Sequence, residues 1–383
     1  MIDMQRVYDR KEDCCGCALC VDICPTQAIC MEMIDGFSYP TIQTEKCVDC
    51  GACRRGCIIQ QPFEDLRRPV MAYAGKLRNT DARLNSSSGG MFTAVSDMVL
   101  SSGGAVCGAA FDEGMRLRYV LAQTAEDRDK MRDSKYVQSD AQGLYAQLQT
   151  VLQEGKTVLF CGTPCTAAAV KRRFSTFTDQ LYIVDLICHG VPSPEVWQGY
   201  IAYIERLYGK SVSAYRFRDK QNGAKEYHAV ITFTDGTTAK ETDAINSYLE
   251  LFRYDLCLRP SCTACPYATQ KRVGDITIGD FWGVETLLPY MDDQKGVSAV
   301  LINTEKGKTC LRDVSEQVEI APCAVNDIVS RQQPLQHPSK ASVKAPTFAR
   351  DMRMLPFRKI LQKYTRVGRK RRVIDCMKRV FGK

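Results

Sequence analysis

The chain has 383 residues, 45% of them hydrophobic and 25% charged, with 20 Cys against 3 His and a formal net charge of +8. That length accommodates two or three domains with cores of their own. The N-terminus MIDMQRVYDRKEDC carries charges where an export signal needs an apolar stretch, and no run of about 18 apolar residues occurs, so neither a leader nor a transmembrane helix is expected. Thiols in such number, in a chain expected in the reducing cytoplasm, point to metal ligands rather than disulfides. The positive balance is local. From Arg358 onward there are eleven Lys or Arg and one acid, which leaves the rest of the chain close to −2 and without a basic face for nucleic acid.

The first segment, 1–62, carries a duplicated cysteine spacing. Cys14, Cys17, Cys20 and Cys24, followed by Pro25, form C-x2-C-x2-C-x3-C-P, and Cys47, Cys50, Cys53 and Cys57 repeat it without the proline. This spacing binds two cubane 4Fe-4S clusters. Three close cysteines wrap one cube, and the fourth crosses to the other. The expected sets are Cys14, Cys17, Cys20 and Cys57, and Cys47, Cys50, Cys53 and Cys24. Paired zinc knuckles, the other all-cysteine arrangement, use a different spacing. The stretch between the runs alternates around Asp35-Gly36 and predicts a hairpin. The region resembles a small bacterial-type ferredoxin module of α+β build. Cys15 and Cys30 fall outside the register and read as buried fillers.

Arg67-Arg68-Pro69 reads as a linker into segment 63–155, where VMAYAGKLR predicts a strand and Met91 to Leu100 a helix. Ser86-Ser87-Ser88-Gly89-Gly90 opens that helix. Such a turn presents free N–H groups to a pyrophosphate, or simply caps the helix. Neither a dinucleotide fingerprint nor a P-loop occurs. In segment 156–335, Val158 to Cys161 and LYIVDLICHG predict buried strands of an α/β sheet, with a helix beginning near Cys165. Their carboxyl ends, where open α/β sheets bind ligands, carry Cys165 and Cys188. With Cys262 and Cys265 of CLRPSCTACP these make four thiolates, enough for one more site. A second hairpin is expected at Asp235-Gly236. The strand ending in Gly279-Asp280-Phe281-Trp282-Gly283 would set a carboxylate beside the site, unless Asp280 only shapes the turn. The last segment, 336–383, reads as a basic tail, in which KRRVIDCMKRVF is either a helix packed on its own domain or one resting on an anionic surface or an acidic partner.

In this order, the cysteine comb, SSSGGMFTA, SKYVQS, CGTPC, CHGVPSP, SCTACPY and DITIGDFWG resemble the coenzyme F420 hydrogenase/dehydrogenase beta-subunit family, in its bacterial branch with an N-terminal dicluster ferredoxin. The resemblance covers roughly residues 10 to 335. It implies a dicluster ferredoxin-like domain followed by an α/β iron–sulfur flavoprotein domain. It also implies a third 4Fe-4S cluster on Cys165, Cys188, Cys262 and Cys265, leaving Cys161 and Cys257 over. FAD is implied with Ser88, Gly89, Gly90, Lys135, Tyr136, Gln138, Ser139, Gly162 and Thr163 as candidate contacts, and Asp280 joins them from the strand end. The implied activity is an oxidoreductase passing electrons between the clusters, FAD and coenzyme F420 or another small organic two-electron partner. Ferredoxin or a larger oxidoreductase complex is the implied redox partner. A non-catalytic electron-transfer subunit is the alternative. His189, next to Cys188, reads as a proton donor or as support for that cysteine.

Overall fold

The structure is a computed structural model that describes residues 7–64, 66–220, 223, 228–240 and 242–368. The N-terminal part contains a hairpin of β1 (Ile29–Ile34) and β2 (Phe37–Ile42), closed by Asp35 and Gly36 at φ 52° and 82°. Aspartate tolerates and glycine favours that left-handed region, and the resulting two-residue turn matches the twist of the strands it joins. Two short helices, Leu19–Asp22 and Ala52–Gly56, follow the two cysteine loops.

The central sheet has eight strands: β3 (Met71–Leu77), β4 (Ala105–Phe111), β5 (Leu117–Ala122), β6 (Val158–Gly162), β7 (Leu181–Leu186), then β11 (Ile276–Asp280), β12 (Ser298–Ile302) and β13 (Val318–Cys323). Their spatial order is β13-β3-β12-β11-β7-β6-β4-β5. The core strands β4, β6, β7 and β11 are parallel to their neighbours in that run, whereas β5, β12, β3 and β13 are added by antiparallel pairing. The sheet is therefore mixed. Of the parallel strands, β6 (VLFCG) and β7 (LYIVDL) read as nearly continuous apolar runs, whereas β11 (ITIGD) alternates. Helices Met91–Ser101 and Pro164–Arg173 begin where the sequence pattern placed them. Strand β7 stops at Leu186, two residues before Cys188.

A smaller sheet of β8 (Val212–Asp219), β9 (His228–Phe233) and β10 (Thr238–Lys240) turns at the expected Asp235-Gly236. It packs with helices Pro194–Tyr208 and Asp243–Arg253 around Trp197, Tyr200, Tyr215, Phe217 and Tyr248. The stretch read as a basic tail joins this cluster: helices Ala345–Met354 and Phe357–Tyr364 bury Phe348, Ile360 and Leu361 against it. The KRRVIDCMKRVF segment lies outside the described residues. No helix among the described residues is long and apolar enough to cross a membrane.

The N-terminal part shares a core with the rest. Ala18, Leu19 and Ile58 lie in one apolar cluster with Tyr145, Leu148, Phe160 and Phe174. The Arg67-Arg68-Pro69 stretch is tied down as well, since Arg67 bridges the backbone of Arg272. At the centre of the sheet Asp185 is fully buried and accepts from Arg272 Nη2, Val273 N and Gly274 N, each at 3.0 Å, as well as from Thr277 Oγ1. Replacing Asp185 with Ala strands a buried guanidinium and two amides. We expect a loss of about 3–5 kcal/mol in urea unfolding, the range for breaking a buried pair from one side.

Candidate functional site

The two cysteine loops fold alike. Between Cys14 and Cys20 the backbone takes positive φ at Gly16 (71°) and Ala18 (57°), and between Cys47 and Cys53 it does so at the matching Asp49 (50°) and Gly51 (67°). Alternating left- and right-handed residues turn successive N–H groups toward one concavity, a cradle for an anionic group. Gly16 has no room for a side chain, since a Cβ there would lie 2.7 Å from Gln138 Nε2. Cys14, Cys17, Cys20 and Cys57 line one small cavity together with Cys15, and Cys24, Cys47, Cys50 and Cys53 line another. In each, the fourth thiol comes from the other run.

The surroundings of the two sets differ. Burial raises the Cys14 and Cys20 thiols in the first. In the second, Cys50 is exposed. Burial opposes ionisation of Cys24, but the Ala28 amide, 3.3 Å from Sγ, together with the Thr26 hydroxyl and the Thr26 and Gln27 amides, outweighs it and lowers the pKa.

Cys165, Cys188, Cys262 and Cys265 also converge, from the start of helix Pro164–Arg173, the end of β7 and the tight turn Pro260–Ala264. Burial pushes Cys262 up to about 12 and Cys265 up to about 11, and the nearby Cys165 pushes both the same way. Thiols that oppose one another's ionisation stay protonated unless a cation displaces the protons, so the group suits metal ligation better than nucleophilic chemistry. Among the described residues no three His, Cys, Asp or Glu lie close enough to grip a single metal ion, so the grouping of the thiols rests on shared cavities and on mutual charge effects.

Two cysteines read as buried fillers behave otherwise. Cys30 is half-exposed on β1, with Sγ facing Thr41 O at 3.8 Å. Cys15 lines the first thiol cavity and its thiol is influenced by both Cys17 and Cys165, so it stands where the first and third thiol sets meet. Of the two left over, Cys161 lines the large cavity described next and Cys257 is packed in the aromatic core.

A cavity of about 680 Å³ opens at the carboxyl ends of β6, β7 and β11. Of the residues expected at a cofactor, Ser88, Gly90, Lys135, Tyr136, Ser139, Gly162, Thr163 and Asp280 line it, and so does Cys188. Asp280 is not a free carboxylate there: Arg218 Nη1 reaches both its oxygens, at 3.0 and 2.7 Å, and Ser88 Oγ donates to it. Lys135 faces the cavity with its pKa lowered to about 8 by burial, which Asp133 and Cys161 partly offset. Just behind the wall, Lys220 donates to Arg83 O and Ser88 O at 3.0 and 2.5 Å, holding the serine turn, and burial lowers it to about 7. His189, also on the wall, is oriented from both ring nitrogens, by Asp255 Oδ1 at 2.6 Å and Ser339 Oγ at 3.2 Å.

Two of the expected contacts lie off this wall. Gly89 is a packing residue: its N–H binds Ser298 Oγ at 2.9 Å, and a Cβ would sit 2.1 Å from Gly75 O. Gln138 turns away to donate to Cys15 O at 3.0 Å and accept from Arg259 at 2.9 Å. Arg259 itself escaped the sequence reading, although it stands inside CLRPSCTACP. It is fully buried, and its Nε donates to Cys14 O at 2.6 Å and Nη2 to Ser38 O at 3.0 Å, with the guanidinium 4.3 Å from the Tyr39 ring centre. Its charge works against the burial that raises the Cys14 and Cys262 thiols. The only local signal was an arginine between closely spaced cysteines.

Grouped thiols thus lie beside a deep cavity at the carboxyl edge of a mixed sheet. Residues 155–327 match the sequence model for the C-terminal part of the beta subunit of coenzyme F420 hydrogenase/dehydrogenase. The match spans just under half of the chain, and the similarity of this segment to that family points to a role in redox electron transfer. Among solved structures, a chain of the xenon-derivatized F420-reducing NiFe hydrogenase complex from Methanosarcina barkeri is similar at a TM-score of 0.47 and 18% identity, over 77% of this chain and 91% of that one. No curated protein matches the chain.

Arg259 provides a test of how the thiol loops are held. Arg259→Met should cost about 3 kcal/mol in urea unfolding, because Cys14 O, Ser38 O and Gln138 Oε1 lose a shared charged donor. Arg259→Lys should recover little of this, since an ammonium cannot donate in the same plane to three separate acceptors.

Proposed function

We propose that the chain is an iron–sulfur flavoprotein oxidoreductase that exchanges electrons between an outside redox partner and a small organic two-electron substrate, coenzyme F420 or a molecule of similar redox chemistry. What supports this reading is that the twelve expected ligand thiols fall into three neighbourhoods, with Cys15 between the first and third and Cys188 of the third on the wall of the large cavity. Cubane clusters bound to such groups supply single-electron exchange, and a flavin bound beside them supplies the exchange between one- and two-electron chemistry.

The chain's own residues bind, orient and exclude water. Cys14, Cys17, Cys20 and Cys57 would hold one 4Fe-4S cluster, Cys24, Cys47, Cys50 and Cys53 the second, and Cys165, Cys188, Cys262 and Cys265 the third. Arg259 offsets the negative charge that thiolates of the first and third groups bring to a buried place. The cavity volume suits FAD. Ser88 and Gly90 at the amino end of helix Met91–Ser101 would face its pyrophosphate, with Lys135 adding a positive charge nearby. The exposed Cys50 favours electron exchange with an outside carrier such as ferredoxin or a larger oxidoreductase complex through the second group.

Anaerobic purification with iron, sulfide and flavin quantification tests the reading. About twelve iron atoms and one FAD per chain are expected, and Cys262→Ser should lower iron to about eight while sparing the first two clusters, as read by electron paramagnetic resonance. Iron without flavin would leave an electron-transfer subunit in place of an enzyme. Zinc in place of iron would remove both. Rebinding of FAD to flavin-stripped protein should weaken as pH rises through about 8, where Lys135 loses its charge, and Lys135→Met should abolish that step. Reduction of coenzyme F420 by reduced ferredoxin in the presence of the protein tests the substrate.

A further inference from the structure

A second cavity, of about 550 Å³, lies at the opposite ends of the same strands. Leu181 and Ile183 of β7, with Val273, Gly274 and Asp275 just before β11, line it, whereas Leu186, Ile278 and Asp280 from the other ends of these strands line the large cavity. Its size is within the range of small-molecule sites. Its charge is one-sided: Arg67, Lys171, Arg172, Arg272 and Lys306 face a single carboxylate, Asp275, among the described residues.

The cations are not equivalent. Arg272 is taken up by the buried Asp185, and Lys306 by Thr178 O, Leu181 O and Asp275. Among the described residues Lys171 donates to one carbonyl, Val273 O at 3.2 Å, and Arg172 to the carbonyls of Cys57 and Gln61, at 3.1 and 2.5 Å. Both stack on Phe63, with Lys171 Nζ 5.7 Å and the Arg172 guanidinium carbon 4.5 Å from its ring centre, which fixes them side by side at the mouth. Arg67 is exposed at the same mouth. Three cations without a carboxylate partner among the described residues, on the rim of an apolar-floored cleft, concentrate positive potential where a ligand would sit. Guanidinium forks match phosphate oxygens in pairs, and an ammonium adds a point charge.

We propose that this cavity is a second ligand site, separate from the redox cavity, that takes a phosphorylated small molecule with its phosphate at Arg67, Lys171 and Arg172 and its body on the floor of Phe174, Ile183 and Val273. The site does not depend on the redox reading. It does touch the first thiol group, because Arg172 also holds the carbonyl of Cys57. An occupant at Arg172 therefore bears on the residue that positions that thiol, a placement that suits regulation.

Titration calorimetry with inorganic pyrophosphate and with citrate, on the full chain and on the double variant Arg67→Gln/Lys171→Gln, tests the proposal. Saturable binding of pyrophosphate is expected to weaken at least about tenfold in the double variant, since two charge-assisted contacts are lost. It should also fall with added salt. Iron and flavin contents of the variant should equal those of the unaltered protein, which keeps this test apart from that of the redox reading. Equal pyrophosphate affinity in the two proteins, or no saturable binding in either, overturns the site. Citrate binding as tightly as pyrophosphate overturns the assignment to phosphate.

Discussion

The buried guanidinium of Arg259 is the interaction on which the arrangement of the thiols depends. An arginine taken out of water without a carboxylate is costly, and it persists only where several acceptors are fixed around it. Here they come from three separate parts of the chain: Cys14 O from the first cysteine loop, Ser38 O from β2 and Gln138 Oε1 from the stretch before helix Leu144–Gln153. The planar fork therefore locks the N-terminal part against the body of the protein at the point where Cys15 meets Cys165. Thiolates at Cys14 and Cys262 would complete the charge balance. The cation thus acts on the fold and on the chemistry of the loops through the same contacts.

The sheet supplies the second constraint. Parallel strands β6, β7 and β11 end together, so loops far apart in sequence open onto one cavity. At the amino ends of β7 and β11 a different set of side chains gathers, strongly cationic. Between the two ends Asp185 and Arg272 close a hydrogen-bond network that includes Thr277 and two amides. The central strands consequently hold two separated clefts with a hydrogen-bonded layer between them.

Much of this was legible locally. The hairpins at Asp35-Gly36 and Asp235-Gly236 follow from turn dipeptides whose glycines, and Asp35 with them, take left-handed backbone, β6 and β7 follow from continuous apolar runs, and β11 from alternation around Ile276 and Ile278. The helix from Met91 followed from its apolar spacing. The helices at Ala345–Met354 and Phe357–Tyr364 went unread because the basic residues there outweighed the sparse apolar ones, Phe348, Ile360 and Leu361, which fill a pocket made by distant aromatics. Gln138 sat in a motif that suggested a cofactor contact, but a buried arginine 121 residues away claimed its side chain. A partner at that distance leaves no trace in local pattern.

The amino-acid sequence by itself determined the cysteine spacing, the two turn dipeptides and the apolar runs, because each depends on backbone preferences acting within a few residues. It also carried the ordered motifs that resemble the family whose model matches residues 155–327. Which thiols face each other, which serine-turn and strand-end residues reach the large cavity, and which instead serve packing were decided only by the tertiary structure. The reason is physical. A buried charge such as Arg259, a close backbone approach such as Gly89 on Gly75, and a cavity at the joint end of three strands are set by neighbours supplied from elsewhere in the chain.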